Sequence, residues 1–361
     1  MGWAREAIGE LERPGHGGTA WKHGAEDFSS NLNPLGPPPE IEGLVREALG
    51  ELDHYPDDRA GSLREAVSMR YDLEAESVIT GAGSSELIRL FAETFLSPGE
   101  EVVMPHPCFS EYPFSCRLMG ARPVWVPLRR ERGFRPDPLE MLEEVGPRTK
   151  AVFLCNPHNP TGHLTPRKRI EELLQELEGK CMVFLDEALL ELVKGFSRYT
   201  CSGLVERHDN LFIINSLTKS FACPGIRVGY GMGDPGIVDR MDRARLSWNL
   251  GCLEQWVGRG CLTLLYDHVL KARDMLDSER SRVVSRLKGL GLRAPLPDAF
   301  FFFIDLVESG VEPGSFLDGL LGRGIMIRDC SSFGMEGHVR FAVKTPEKND
   351  MLISHMGEVL G

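Results

Sequence analysis

The stretch LFIINSLTKSFACPGIRVGY, residues 211–230, decides the fold. Its apolar run at 211–215 leads directly into a turn that carries Lys219, and Arg227 precedes a second apolar run at 228–231. Short apolar runs that are bounded by turns are typical of buried strands. In open parallel sheets, ligands bind beyond the carboxyl ends of the strands, which is where Lys219 is expected to lie.

The same pattern recurs on the amino-terminal side of this stretch. Runs rich in Val, Ile and Phe predict strands at 78–80, 101–104, 151–155 and 182–185. Helical periodicity is found at 85–96, 109–119, 166–177 and 235–243. This alternation predicts crossover units and therefore an α/β fold, in which a mainly parallel sheet is flanked by helices.

The two ends of the chain predict a smaller α+β domain. Further strands are predicted at 300–306, 325–328 and 338–343, between one or two long helices at 253–287 and a final helix from Pro346. The opening segment is rich in Gly and Pro and predicts an arm that completes this domain or reaches a partner subunit. We expect an arm and part of the small domain at 1–60, a large domain at 61–250, and linking helices with the small carboxy-terminal domain at 251–361.

The composition is that of an ordinary globular protein, with 361 residues, of which 42% are hydrophobic. The formal net charge of −12 argues against binding to nucleic acid or anionic membranes and favours a small-molecule substrate. The nine cysteines include no C-x-x-C pair, which predicts reduced thiols in the core, and no metal is expected. No apolar run approaches the length of a membrane span, so a cytoplasmic location is expected.

Polar residues follow several of the predicted strands. The glycine turn GAGSSE at 81–86 precedes a helix, so its N–H groups and the hydroxyls of Ser84 and Ser85 form a candidate anion seat. An ordinary helix cap is the alternative. The segment NPHNPTG at 156–162 holds Asn159 outward, unless it is only a rigid turn.

Two charged residues follow the next two strands. Asp186 comes directly after the run at 182–185, where burial of a carboxylate is costly unless a cation lies beside it. A helix cap is again the alternative. Lys219 holds the corresponding place after 211–215, although a lysine alone is usually a solvated surface charge.

The order Gly83-Ser84-Ser85, Asn159, Asp186, Lys219, Arg227 resembles the aminotransferase-like family of pyridoxal-phosphate enzymes, which share the aspartate aminotransferase fold. The resemblance covers nearly the whole chain. It implies pyridoxal 5'-phosphate as cofactor and the fold called pyridoxal-phosphate fold type I. Such a cofactor carries an aldehyde, a pyridine and a phosphate, and each needs its own protein partner.

The resemblance assigns a role to each of these residues. Lys219 forms the covalent bond to the cofactor, Asp186 pairs with the pyridine nitrogen, and Asn159 donates to the ring hydroxyl oxygen. The phosphate is held by the glycine turn and by further polar groups, namely Gly83, Ser84, Ser85, Ser216 and Arg227.

Phe109, in the segment PCFSEY at 107–112, is implied to stack on the cofactor ring, with a plain core aromatic as the alternative. One departure concerns Leu189, because many relatives have a tyrosine three residues after the aspartate. The phenol that donates to the ring hydroxyl oxygen is therefore missing at that position.

Within the family, the chain resembles threonine-phosphate decarboxylases and, next, histidinol-phosphate aminotransferases. The segments NLNPLG at 31–36 and YPD at 55–57, with Arg340, have counterparts in both groups or nearly so. Three features favour the decarboxylases: His16-Gly17-Gly18, Ser247-Trp248-Asn249 and Ile327-Arg328-Asp329-Cys330. This implies decarboxylation of L-threonine O-3-phosphate to (R)-1-aminopropan-2-yl phosphate, a step of cobalamin biosynthesis.

The resemblance also implies which residues bind the substrate, namely His16, Asn31, Asn159, Arg328 and Arg340. His16 is alternatively a solvated loop residue and Trp248 a core residue. Tyr55 resembles the tyrosine that relatives extend to a neighbour's cofactor phosphate, which implies a homodimer with shared active sites. Transamination of histidinol phosphate or another amino acid is the alternative activity. A cofactor-binding module of a transcription regulator is disfavoured, because the chain has no basic DNA-binding extension.

Overall fold

The computed structural model describes residues 5–9 and 11–361. Twelve strands are observed in this part of the chain: β1 Glu26–Asp27, β2 Val78–Gly81, β3 Glu101–His106, β4 Arg122–Pro127, β5 Thr149–Cys155, β6 Met182–Asp186, β7 Leu211–Ser216, β8 Gly229–Gly233, β9 Phe301–Asp305, β10 Ile325–Met326, β11 Arg328–Asp329 and β12 His338–Ala342. The α-helices of the same residues are α1 Glu6–Gly9, α2 Ile41–Ala48, α3 Gly61–Tyr71, α4 Ser84–Phe95, α5 Glu111–Leu118, α6 Arg167–Leu177, α7 Leu217–Ser220, α8 Pro235–Ala244, α9 Cys252–Thr263, α10 Asp267–Gly289, α11 Pro313–Leu321 and α12 Pro346–Leu360.

The central sheet has seven strands in the order β2-β8-β7-β6-β5-β3-β4. All neighbours are parallel except β8, which runs antiparallel to both β2 and β7. Apolar residues of the sheet and the flanking helices form two buried clusters, one on each face. The predicted α/β fold with a mainly parallel sheet is therefore confirmed.

The edge strand β4 was not among the predicted strands. Its sequence RPVWVP has a proline near each end, and only Val126 within it is buried. Proline lacks the N–H that a central strand needs, but an edge strand tolerates it. The local pattern therefore did not predict a strand, and pairing with β3 together with packing against α5 orders this segment.

The small domain contains two further sheets. Strands β11, β12 and β9 form an antiparallel sheet, while β1 pairs in parallel with β10. The prediction of one continuous strand at 325–328 is wrong, because its two halves pair with different partners on either side of Ile327. The amino-terminal segment thus joins the carboxy-terminal part of the chain, while the domain boundaries stay a prediction.

The structure resolves the helices of two regions, and the first agrees with the prediction of one or two long helices. The segment 253–287 forms two helices, α9 and α10. The opening segment contains α2, whose buried residues Ile41, Leu44 and Ala48 follow helical spacing. The backbone of α9 approaches α2 so closely that a Cβ on Gly260 would lie 2.4 Å from the Leu44 side chain.

The cysteines agree with the predicted reduced state, since none of the nine forms a disulfide and all but Cys252 are buried. Among the described residues, no helix is both long and apolar enough to cross a membrane. Nor do residues 5–9 and 11–361 contain a group of three or more His, Cys, Asp or Glu that could hold a metal ion.

Candidate active site

A cavity of about 300 Å³ lies beyond the carboxyl ends of the parallel strands. The neighbouring strands β5, β6 and β7 all end at this edge of the sheet, so the residues that follow them meet there. The lining residues are His16, Gly17, Ser29, Ser30, Asn31, Ser84, Ser85, Phe109, Cys155, Asn159, Asp186, Ala188, Leu189, Ser216, Thr218, Lys219, Arg227, Phe333, Arg328 and Arg340.

Lys219 lies in the short helix α7, which follows β7 directly. Burial lowers the pKa of its amine to about 8, and the positive charges of Arg340 and Arg227 act in the same direction. Roughly a tenth of the amine is therefore neutral at pH 7, far more than for an ordinary lysine, and a nucleophilic lysine requires this neutral form. The backbone is fixed from the amino-terminal segment, because Asn33 donates its N–H to the Lys219 carbonyl at 2.9 Å and its Nδ2 to the Ser220 carbonyl at 2.8 Å.

Asp186, the last residue of β6, is a buried carboxylate. It accepts hydrogen bonds from the Tyr112 hydroxyl at 2.7 Å and from the Ala188 N–H at 2.8 Å. Desolvation raises its pKa, although both hydrogen bonds and the Lys219 charge oppose the rise. No ion pair to Asp186 is formed by the residues that the structure describes, so the carboxylate would be stabilised by a cation in the cavity.

An anion seat forms where β2 leads into α4. Gly83 has φ +80°, and a Cβ there would lie 2.4 Å from Nη2 of Arg227, so only glycine fits. Ser84 and Ser85 open α4, a helix of 12 residues whose first N–H groups have no intrahelical partner. Arg227 also donates to the Thr218 hydroxyl at 3.4 Å. A helix amino terminus beside a guanidinium suits a phosphate.

Arg340, on β12, reaches the opposite side of the cavity. It donates to Asn159 Oδ1 at 2.6 Å and to the Ser29 carbonyl at 2.7 Å. Because Oδ1 of Asn159 accepts from the guanidinium, its Nδ2 remains as a donor. Two buried atoms, Arg340 Nε and Asn31 Oδ1, have no hydrogen-bond partner among the described residues. Such groups favour a polar ligand that satisfies them.

Arg328, on β11, anchors the amino-terminal segment at the mouth of the cavity. Its Nη2 donates to the Gly15 carbonyl at 2.7 Å and to the Ser332 hydroxyl at 2.6 Å. Two guanidinium carbons lie near the ring of Phe333, that of Arg328 at 5.4 Å and that of Arg340 at 5.8 Å from its centroid. Neither arginine forms an ion pair within the described part of the chain.

The structure brings nearly all of the predicted site residues together around this one cavity. Gly83 does not line it but packs against Arg227, which does. Tyr55 lies outside it: its side chain is 75% exposed and stacks on Trp248, with ring centroids 4.6 Å apart. Trp248 is 48% exposed, so the alternative of a core residue is wrong.

Three contributors were missed by sequence reasoning. Tyr112 holds Asp186, Asn33 fixes the Lys219 segment, and the Ser29 carbonyl accepts from Arg340. Tyr112 lies three residues after Phe109, and helical spacing puts the two on one face of the helix predicted at 109–119. That spacing was the available signal, whereas the contacts of Asn33 and Ser29 join residues far apart in sequence. Leu189 is buried in the cavity wall and offers no hydroxyl.

The cavity has the opposite charge balance to the whole protein. Its lining includes three arginines and Lys219 but one acid, Asp186, although the chain carries a net charge of −12. Such a concentration of positive charge attracts anionic ligands. The arrangement combines a nucleophilic amine, a buried carboxylate without a cation, and two separate regions that can bind anions.

A family model described as "Aminotransferase class I and II" matches residues 25–356. The chain belongs to this family. Class I and II aminotransferases depend on pyridoxal 5'-phosphate, so the cofactor implied by the sequence is confirmed. The matched segment begins after His16 and Gly17, so these two lining residues lie outside the part of the chain that the family model matches.

Individual class I and II aminotransferase relatives carry two different names. The chain is 32% identical to a histidinol-phosphate aminotransferase of Moorella thermoacetica, covering 92% of this chain and 85% of that protein. It is 33% identical to a putative threonine-phosphate decarboxylase of Caldanaerobacter subterraneus, covering 96% and 94%. The crystal structure of the histidinol-phosphate aminotransferase from Clostridium acetobutylicum superposes with a TM-score of 0.85 at 28% identity, covering 92% and 98%.

The residues of this aminotransferase-family cavity fit pyridoxal phosphate. The cofactor's protonated pyridine nitrogen is the kind of cation that the buried Asp186 lacks. Its phosphate suits the seat of Gly83 and Arg227, where the close approach leaves no room for a side chain. The partly neutral amine of Lys219 suits covalent attachment to the aldehyde.

Proposed function

We propose that this protein decarboxylates L-threonine O-3-phosphate to (R)-1-aminopropan-2-yl phosphate, a step of cobalamin biosynthesis. The observation that carries the proposal is the position of His16, which lines the same cavity as Lys219, Arg328 and Arg340. His16 belongs to the His16-Gly17-Gly18 segment that resembles threonine-phosphate decarboxylases, and it precedes the residues that the family model matches.

The proposed cofactor contacts follow from the cavity's geometry. Lys219 attaches the cofactor, which supplies an electron sink for the substrate's Cα when it is bound. The Asp186 carboxylate, held by the Tyr112 hydroxyl, keeps the pyridine nitrogen protonated. Asn159 directs its free Nδ2 to the ring hydroxyl oxygen, and Phe109 covers one ring face.

The cofactor phosphate is proposed to lie at the start of α4. Arg227 provides the charge there, and the N–H groups of the first turn provide hydrogen-bond donors. The groups of this seat are Gly83, Ser84, Ser85, Ser216 and Arg227.

The substrate's two anionic groups are assigned to the other side of the cavity. Arg328 and Arg340 bind the phosphate and the carboxylate, and Asn31, Asn159 and His16 contribute hydrogen bonds. The two arginines lie on adjacent strands, where Arg328 is the register partner of Arg340. Guanidinium contacts to phosphate and carboxylate are directional and strong, so this pair can fix the substrate's orientation.

Orientation decides between decarboxylation and transamination. In decarboxylation the bond from Cα to the carboxylate breaks, carbon dioxide leaves, and a proton takes its place at Cα. Transamination instead begins with removal of the Cα proton. We assign proton transfer in either case to the Lys219 amine, and we assign the choice of bond to the anchoring of the substrate's phosphate.

The direct test is product analysis with the holoenzyme. L-threonine O-3-phosphate should release carbon dioxide without any keto-acid acceptor, and the amino phosphate should accumulate in equal amount. Arg328→Ala and Arg340→Ala should each lower kcat/KM by roughly 10²-fold or more, because a charge-assisted anchor is lost. Arg293→Ala is the matched control, since Arg293 pairs with Glu308 and does not line the cavity.

Histidinol-phosphate transamination is the second candidate. The similarity to the Moorella thermoacetica and Clostridium acetobutylicum proteins favours it. Turnover that requires 2-oxoglutarate and yields glutamate would replace the decarboxylase proposal with this one. Both substrates carry a phosphate, so the phosphate-binding residues are the same in either case. Histidinol phosphate has no carboxylate, so the second arginine would bind a carboxylate of 2-oxoglutarate and glutamate instead.

We also propose a homodimer in which Tyr55 completes the partner's cofactor site. Tyr55 and Trp248 form an exposed stacked pair. The Asp58 carboxylate anchors the pair by accepting a hydrogen bond from the backbone N–H of Trp248 at 2.6 Å. Such an exposed aromatic pair favours burial against another protein surface.

If Tyr55 donates to the partner's phosphate, Tyr55→Phe should weaken cofactor binding by about tenfold. The dissociation constant of the cofactor is measured by titration of the cofactor-free protein. Trp21→Phe is the control, because Trp21 is equally exposed at 76%. An unchanged constant in Tyr55→Phe, or a fully active monomer in sedimentation, would refute the shared site.

A further inference from the structure

His16 and Glu111 form a pair that the proposed roles leave unexplained. Nε2 of His16 lies 2.7 Å from Oε1 of Glu111, and the side chains are 49% and 17% exposed. Glu111 opens α5, two residues after Phe109. Only His16 of the pair lines the cavity, so Glu111 supports the site from outside its wall.

The pair fixes which ring nitrogen of His16 is available to a ligand. A carboxylate oxygen only accepts, so Nε2 of the imidazole carries the hydrogen that Glu111 binds. Nδ1 then remains for another partner, and it has none among the described residues. The ring also packs on Phe109, with centroids 5.9 Å apart and an interplanar angle of 51°.

The chain on either side of His16 is held by its backbone. The Gly15 carbonyl accepts from Arg328 at 2.7 Å, and the Gly18 N–H donates to the Ser29 hydroxyl at 3.3 Å. Gly17 lies against Ser29, since a Cβ there would be 3.2 Å from its Oγ and 3.3 Å from its carbonyl oxygen. Because the other three residues of 15–18 are glycines, His16 makes the one side-chain contact of this segment.

We infer that Glu111 is a positioning residue, which holds His16 as an imidazolium whose Nε2–H donates to Glu111, so that its Nδ1–H and Arg328 together recognise the phosphate of the substrate. The inference rests on the proposed function only in requiring a phosphorylated substrate. Arg328 binds the Gly15 carbonyl directly before His16, so the imidazole and the guanidinium are coupled through one backbone contact. Glu111 itself is not part of the cavity lining, so its carboxylate is not one of the groups that face a bound anion.

The alternative is that Glu111 only stabilises α5 and the amino-terminal segment. Binding of inorganic phosphate to the holoenzyme distinguishes the positioning role from the purely structural one. In the holoenzyme the cofactor already fills its own phosphate site, so added phosphate reports on the substrate's phosphate site. The dissociation constant is measured by equilibrium dialysis for the wild type, His16→Ala, Glu111→Ala and the double variant. Glu111→Gln keeps an acceptor in place, and Glu308→Ala removes an acid that pairs with Arg293 elsewhere.

Each single alanine variant should weaken phosphate binding by about tenfold, as expected for the loss of one hydrogen bond to a charged group. The double variant should be no weaker than either single variant, because Glu111 acts through His16. Glu111→Gln should stay within about twofold of the wild type, since the acceptor is kept. For L-threonine O-3-phosphate, the single variants should raise KM by a larger factor than they lower kcat, because phosphate binding is weakened while Lys219 is kept.

Two results would overturn the inference: unchanged phosphate binding in Glu111→Ala, or losses that multiply in the double variant. Both results can be distinguished from failure of the proposed function. A wild type that releases no carbon dioxide but shows the coupled loss of phosphate binding refutes the decarboxylase and keeps the role of Glu111. A wild type that releases carbon dioxide, but in which the losses of phosphate binding multiply in the double variant, supports the decarboxylase and refutes the role of Glu111.

Discussion

Replacing Lys219 with Ala should abolish the visible absorption band of the covalently bound cofactor and lower turnover by roughly 10⁴-fold or more. The amine is the lining group that can bond to the cofactor's aldehyde, and the same amine is the proposed proton carrier. Its pKa, lowered to about 8 by burial and by Arg340 and Arg227, provides the neutral form near pH 7.

The measurements are the absorption spectrum of the purified protein and single-turnover rates. Lys344→Ala is the matched control: Lys344 is also buried with a lowered pKa, but it lies outside the cavity. A Lys219→Ala protein that kept both the band and turnover would show that another residue holds the cofactor.

Replacing Asp186 with Asn should lower kcat by roughly 10³-fold, which corresponds to removing one member of a buried ion pair. Asn keeps the size of the side chain and an oxygen for the Ala188 N–H, but it removes the charge that stabilises the protonated pyridine nitrogen. Cofactor affinity should fall as well, because the ring then lacks its ionic partner.

Glu187→Gln is the control for this second prediction. Glu187 is the next residue and equally buried, with its pKa raised to about 7 by desolvation, but Thr200 and Cys201 bind it away from the cavity. Steady-state kinetics and cofactor titration of both variants decide the outcome. Equal losses in the two variants would mean that a buried carboxyl is needed only for folding of this region.

Strands with a clear local sequence pattern were predicted, and elements without one were missed. The strands β5, β6 and β7 are buried on both faces, so each appears in the sequence as a short continuous apolar run. The edge strand β4 lacks that signal because of its prolines. The break at Ile327 depends on two different pairing partners, and no local pattern records which partner a strand finds.

The sequence by itself determined the fold, the cofactor and the order of the residues around it. The fold and the residue positions follow from local features, because each polar residue comes after its own apolar run and parallel strands bring their carboxyl ends to one edge. The cofactor was implied by the resemblance of that residue order to a known family. Neighbours along the chain were enough to identify Lys219, Asp186 and Asn159 as candidates.

Only the tertiary structure decided which side chains hold one another. Tyr112 and Asp186 are 74 residues apart, and Arg340 and Asn159 are 181 apart. His16 and Glu111 meet because the amino-terminal segment crosses the cavity mouth between Arg328 and Ser29. Such contacts are set by the packing of distant elements on a common core, so the local sequence around one partner does not indicate which residue it will contact.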